Sequence, residues 1–94
     1  MKVELSARPK LAKRAKLRPD RKTGGHALLY PEKGLLLNET SAAIARLCTG
    51  EHRVSEMIAE LAREFGEQDR ARLEREVLDF LQALADRGLL TESS

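Results

Sequence analysis

HALLYPEKGLLLNETSAAIARLCTGE, residues 26–51, contains two apolar runs, the turn between them and the opening of a helix. His26 to Tyr30 reads as a strand, and Pro31-Glu32-Lys33-Gly34 as the turn that follows. Pro presets φ at the first corner, and Gly34 can take the left-handed position before the next strand. Leu35-Leu36-Leu37 is that strand. Asn38 and Thr40 are both good N-caps, so a first helix opens at one of them and runs to about Thr49, with Gly50 as its stop. Its inward positions are Ala43, Ile44, Leu47 and Cys48.

Toward the C-terminus the pattern becomes purely helical. Val54, Met57, Ile58, Leu61, Ala62 and Phe65 fall on one stripe of a second helix, with Ser55 as its expected cap and Gly66 as its end. A third helix starts at Asp69 and ends at Gly88, after which Leu89 and Leu90 pack back. Toward the N-terminus, Lys22-Thr23-Gly24-Gly25 is a turn, because paired glycines tolerate positive φ. Leu17 to Asp20 before it is a weaker strand that Pro19 confines to an edge. The order is two or three strands and then three helices. That is an α+β fold with an antiparallel sheet segregated from the helices. Residues 1–16 read as a basic, mobile arm, 17–90 as the folded domain and 91–94 as a polar tail.

Ninety-four residues with no Trp, one Tyr and two Phe make a single domain whose core is Leu, Ile, Val and Ala. No apolar run approaches the roughly 18 residues of a membrane span, and the basic N-terminus lacks the apolar stretch of a signal peptide. One cysteine cannot form an internal disulfide and fits a reducing compartment, so the expected location is the cytoplasm. The net charge of +2 conceals a division. Residues 1–25 carry nine basic and two acidic groups, or +7, and the remainder eight and thirteen, or −5. A basic segment on an acidic body points to an anionic contact: nucleic acid, an acidic protein face or an acidic stretch of peptide.

The residues that catalysis requires do not cluster. His26 lies on a strand and His52 in a loop, with no HxxxH or HExxH pair. The lone Cys48 supplies no zinc or iron–sulfur set, and no glycine-rich loop leads from a strand into a helix. Neither an enzymatic role nor a metal or cofactor is expected.

Apolar surface, by contrast, is in surplus. Leu35 and Leu37 share one face of their strand and Leu36 takes the other, and Leu28 and Leu29 repeat the pattern. A sheet backed by helices on one side should be polar on its second face, so the arm, another subunit or a ligand covers it. On the third helix, Phe80, Leu73, Leu84, Val77, Leu81, Ala85 and Leu78 span an arc of roughly 160°, wider than a core-facing stripe needs. Its rim carries Arg72, Arg75, Glu76 and Asp79. A strand that comes last before the helices can sit at the sheet edge, where an extended peptide could pair with it and lay side chains against the third helix.

These segments resemble the PqqD family of pyrroloquinoline quinone (PQQ) biosynthesis. Residues 26–51 are similar to its "vLLyPE…lN.ta..il.l..G" signature, and VSEMIAELAREFG and LEREVLDFLQALADRGLL supply the two amphipathic helices that follow. The resemblance covers Leu17 to Leu90. It implies a winged-helix-like domain without chemistry of its own. Such a domain holds the precursor peptide PqqA and presents it to PqqE, a radical S-adenosylmethionine (SAM) enzyme that carries the iron–sulfur clusters itself. It further implies peptide binding between the third strand and the third helix. Carried over by position, the contacts are Gly34, Leu35, Leu36, Leu37 and Asn38 on one side and Arg72, Leu73, Arg75, Glu76, Val77 and Phe80 on the other. Pro19 stands where relatives often have an aromatic residue, which questions the pairing of the first strand. The basic segment is longer than the motif demands, and docking to PqqE or attraction of an acidic leader would each use it.

The rival reading is a winged-helix DNA-binding protein, given three helices, a hairpin and a basic segment. A DNA-reading helix needs Lys or Arg for phosphates and base edges. The second helix instead offers Glu56, Glu60 and Glu64 beside Arg63, and the third mixes signs, so no nucleic acid is expected as a partner. A free strand edge permits either a monomer or a strand-exchanged homodimer.

Overall fold

The computed structural model describes residues 2–19, 24–30, 33–66 and 68–92. The elements run β1 (Pro9–Leu11), β2 (Lys16–Pro19), β3 (His26–Tyr30), β4 (Lys33–Leu37), α1 (Glu39–Arg46), α2 (Val54–Phe65), α3 (Arg70–Asp86) and β5 (Leu90–Glu92). Two antiparallel sheets form: β2-β3-β4, and the pair β1-β5. The α+β class expected from the pattern is the one observed.

In the larger sheet, Leu28 stands between Leu17 and Leu35, and Leu29 between Lys16 and Gly34. Alternation therefore sends Leu17, Leu28, Leu35 and Leu37 to one face and Lys16, Arg18, Ala27, Leu29, Gly34 and Leu36 to the other. The first face packs on α1, in which Ala42, Ala43, Ile44 and Ala45 are all buried. Three alanines among these four buried residues let the sheet approach from one side and α2 and α3 from the other. Gly34 lies inside β4 as the partner of Leu29 and not at a left-handed corner. A Cβ there would come within 3.3 Å of Leu29 Cδ2, so the missing side chain leaves room for that leucine. The turn positions Pro31 and Glu32, like Asp20 to Thr23, lie outside the described residues.

The helix limits follow the caps. Asn38 accepts from the Ser41 N–H at 2.7 Å and opens α1, which stops at Arg46, short of the expected Thr49. Asp69 accepts from the Arg72 N–H at 3.0 Å and opens α3. The opening of α2 differs from expectation. Its N-cap is Arg53, whose N–H donates to Glu56 Oε1 at 2.7 Å. Val54 and Ser55, the first two helical residues, donate their N–H groups to the carbonyls of Ala7 and Leu5. A backbone segment thus does the work expected of the Ser55 hydroxyl.

That segment belongs to residues 1–16, read from the sequence as an arm. The described part is tied down along its length. Val3, Ala7, Pro9 and Ala15 are buried, and the Val3 N–H donates to Gln82 Oε1 at 2.9 Å. Leu11 N–H donates to the Cys48 carbonyl, Gly50 N–H to the Pro9 carbonyl and Ala12 N–H to the Leu89 carbonyl. Arg14 reaches the carbonyls of Arg87 and Gly88 at 3.2 and 3.1 Å, a cation at the C-terminal end of α3. Thr91 and Glu92, assigned to a tail, are the β5 partners of this strap. Small apolar residues spaced among lysines and arginines give no helical or strand period, so the sequence pattern concealed the packing.

Candidate functional site

The order β2-β3-β4 leaves β4 at an edge, with no further strand beyond it among the described residues. From Gly34 to Leu37 that edge carries no charge. Where β4 ends, Asn38 caps α1, and the first turn of α1 faces α3 across a groove of about 490 Å³. Asn38, Thr40 and Ser41 form one wall, and Arg72, Glu76 and Asp79 the other. Ile44 and Phe80 supply its apolar part; Ile44 is buried and Phe80 half-buried. Arg72 Nε donates to Glu76 Oε1 at 3.3 Å, which aligns these two side chains along the rim.

Of the expected contact residues, the structure brings Asn38, Arg72, Glu76 and Phe80 together at this groove. Gly34, Leu35, Leu36 and Leu37 lie on the adjoining edge strand; Leu35 is half-buried, Leu37 buried and Leu36 67% exposed. Arg75 is exposed on α3. Leu73 and Val77 belong elsewhere: both are core, and Val77 has no exposed surface. The broad apolar arc of α3 explains them. Its centre, with Leu81 and Leu84, is buried against the other elements, and only the Phe80 flank reaches the groove. Thr40, Ser41, Ile44 and Asp79 were not among the expected contacts. The signal for Thr40, Ser41 and Ile44 is the single residue, Asn38, between β4 and α1, which forces the α1 N-terminus to the end of the strand, whereas Asp79 belongs to the polar rim of the third helix.

A second concavity, of about 540 Å³, lies between Leu47, His52 and the exposed side of α2, with Glu56, Glu60 and Arg63 around it. It has neither a strand edge nor a facing helix from another layer. The Cys48 thiol donates to the Ile44 carbonyl at 3.3 Å, and burial pushes its pKa up to about 12, so it is no nucleophile. Among the described residues, no group of three His, Cys, Asp or Glu side chains could hold a metal ion. Nor is any described helix long and apolar enough to cross a membrane.

The fold is shared with a small recognition domain of known structure. The fold superposes with a TM-score of 0.79 on the solution structure of the PqqD truncation of Methylobacterium extorquens PqqCD. That protein is a stand-alone recognition element for ribosomally synthesized and post-translationally modified peptides. The match covers 95% of this chain and 94% of that one at 29% identity. Lasso peptide synthetase B1 in complex with a leader peptide shares the fold at a TM-score of 0.69 and 21% identity, covering 90% of this chain and 99% of that one. Residues 25–90 match the family model of coenzyme PQQ synthesis protein D, and the chain belongs to the PqqD family. Among its relatives, the PqqA binding protein of Rhodopseudomonas palustris strain BisB5 is 38% identical over 97% of this chain and 88% of that protein. The PqqA binding protein of Bradyrhizobium diazoefficiens is 35% identical over 97% of this chain and 87% of its own length.

Proposed function

We propose that this chain binds the precursor peptide PqqA as an additional strand along β4 and presents it to the radical SAM enzyme PqqE. The observation that carries the reading is the uncharged edge Gly34–Leu37 running into the groove between α1 and α3. Backbone groups of β4 supply hydrogen bonds that tolerate sequence variation. Inward side chains of the peptide meet Phe80 and Ile44, and its polar groups meet Arg72, Glu76, Asp79 and the hydroxyls of Thr40 and Ser41. The domain performs no bond-making step; its contribution is to fix an extended conformation that the free peptide rarely holds. Relatives named as PqqA binding proteins support the choice of ligand.

The test is titration of isotope-labelled protein with PqqA. Amides of Gly34–Asn38 and of α3 from Arg72 to Phe80 should shift together. Shifts confined to the α2 face around Glu56 and Arg63 would move the site to the other concavity.

A further inference from the structure

α3 forms one wall of the groove, and the α1 N-terminus at the end of β4 forms the other. The opening therefore depends on how α3 stands against the β2-β3-β4 sheet. The main neighbours of α3 are α2, β5 and α1, not the strands of that sheet. Arg14 ties the two together. It sits in the turn closed by the Ala15 N–H on the Ala12 carbonyl, two residues before β2 begins. From there its Nη2 donates to the carbonyls of Arg87 and Gly88, just beyond α3, at 3.2 and 3.1 Å.

The end of α3 is shaped to receive that guanidinium. Gly88, at φ +72°, turns the chain out of the helix, with the Leu89 N–H on the Leu84 carbonyl and the Gly88 N–H on the Ala85 carbonyl. A Cβ on residue 88 would stand 2.6 Å from Arg14 Nη2, so glycine serves both the left-handed turn and the close approach. The Val3 N–H, on Gln82 Oε1, fixes a second point along the same helix. Neither Arg14 nor Gln82 lines the groove.

We propose that Arg14 is a positioning residue for the peptide site. By holding the end of α3 to the start of β2 it fixes the spacing between the α3 wall and β4. This role rests on the proposed binding of PqqA in the groove and adds what keeps the groove in shape. Arg14 is exposed, and exposed bonds of this kind add little to global stability. Their effect is directional. α3 is a continuous rod of 17 residues, and a tilt at its end carries to Phe80, about two turns earlier. A displacement there of about 1 Å is enough to spoil the fit of a bound chain.

PqqA affinity is measured by isothermal titration, and unfolding by urea, for the parent, Arg14→Ala, Arg14→Lys, Phe80→Ala and the Arg14→Ala, Phe80→Ala double variant. Arg14→Ala should lose about fivefold in affinity with an unfolding midpoint near the parent's. Arg14→Lys, which keeps the charge on a freer stem, should recover part of that loss. In the Phe80→Ala background the Arg14 change should cost less than about twofold, because the wall it aligns no longer meets the peptide. Amides from Arg72 to Phe80 should also shift in the free Arg14→Ala protein. Unchanged affinity in folded Arg14→Ala would overturn the role while leaving the groove intact. So would a loss that is equal with and without Phe80, or one matched by a fall in the unfolding midpoint, the mark of a purely structural contact. A parent that takes up PqqA with amide shifts confined to α2 would overturn the groove and the role of Arg14 together.

Discussion

The two edges of the larger sheet differ in a single respect that matters for association. β2 ends the sheet with Lys16, Arg18 and Pro19: two charges, and a residue that has no N–H to offer. β4 ends it with Lys33 at the turn and then Gly34 and three leucines, four residues without charge. Charge and proline are the usual means of keeping foreign strands off an exposed ladder. One margin is guarded and the other is open, although both are only four or five residues long. The open one lies beside the groove, and the guarded one is separated from it by β3. A strand edge without protection is a hazard unless it is occupied in use, and the unequal treatment of the two margins supports the proposed pairing of the peptide at β4.

That contrast can be broken most severely by removing the scaffold beneath it. Val77→Arg buries an unpaired charge in the core, with an expected cost of about 4 kcal/mol or more, and urea denaturation should find the chain largely unfolded. Both edges then vanish together, so any loss of PqqA binding in that variant says nothing about the groove. Deleting residues 2–11 takes away β1, the partner of β5, and exposes the first N–H groups of α2. Thermal unfolding should register a loss of about 2–4 kcal/mol, since several buried hydrogen bonds and apolar contacts disappear at once. A deletion that left stability unchanged would restore the mobile-arm reading.

Smaller changes sharpen the comparison without disturbing the core. Leu36→Asp puts a charge on the open edge and should reduce PqqA affinity about tenfold by isothermal titration, with a melting temperature close to the parent's. Lys16→Thr with Arg18→Thr and Pro19→Val strips the guard from β2. Light scattering should then detect concentration-dependent association that the parent lacks. The gentlest probe is pH. Burial raises the Cys48 pKa from 9.0 to about 12 in the folded state. The neutral thiol is favoured in the fold, so its contribution to stability is intact below pH 9 and declines as pH rises from there toward 12. Cys48→Ala should flatten that alkaline decline in a stability–pH profile.

How much of this was legible in the sequence depended on periodicity. The stripe from Val54 to Ala62, the caps Asn38 and Asp69 and the pairing of β3 with β4 each carry a local signal and were found, although Phe65 is exposed and β4 begins at Lys33, two residues before the expected Leu35. Position within the sheet was also legible, because chain order places Leu35–Leu37 last before the helices. The strap was not. Pro9, Ala7 and Val3 are buried by elements more than 40 residues away, and no local pattern records such a contact. The α3 residues show the same division: the wheel identified a broad apolar arc, but only packing could tell that Leu73 and Val77 fill the core while Phe80 reaches the groove.

The pairing of β1 with β5 has a mechanical consequence. Pro9 faces Glu92 and Leu11 faces Leu90, so the two ends of the chain leave the ladder from the same side. A pull applied between the termini would load these hydrogen bonds one after another, as a zipper is opened, instead of shearing them all at once. From the N-terminal side the load would first meet the Val3 contact with Gln82 on α3 and the Leu5 and Ala7 contacts with α2, and only then the β1–β5 ladder.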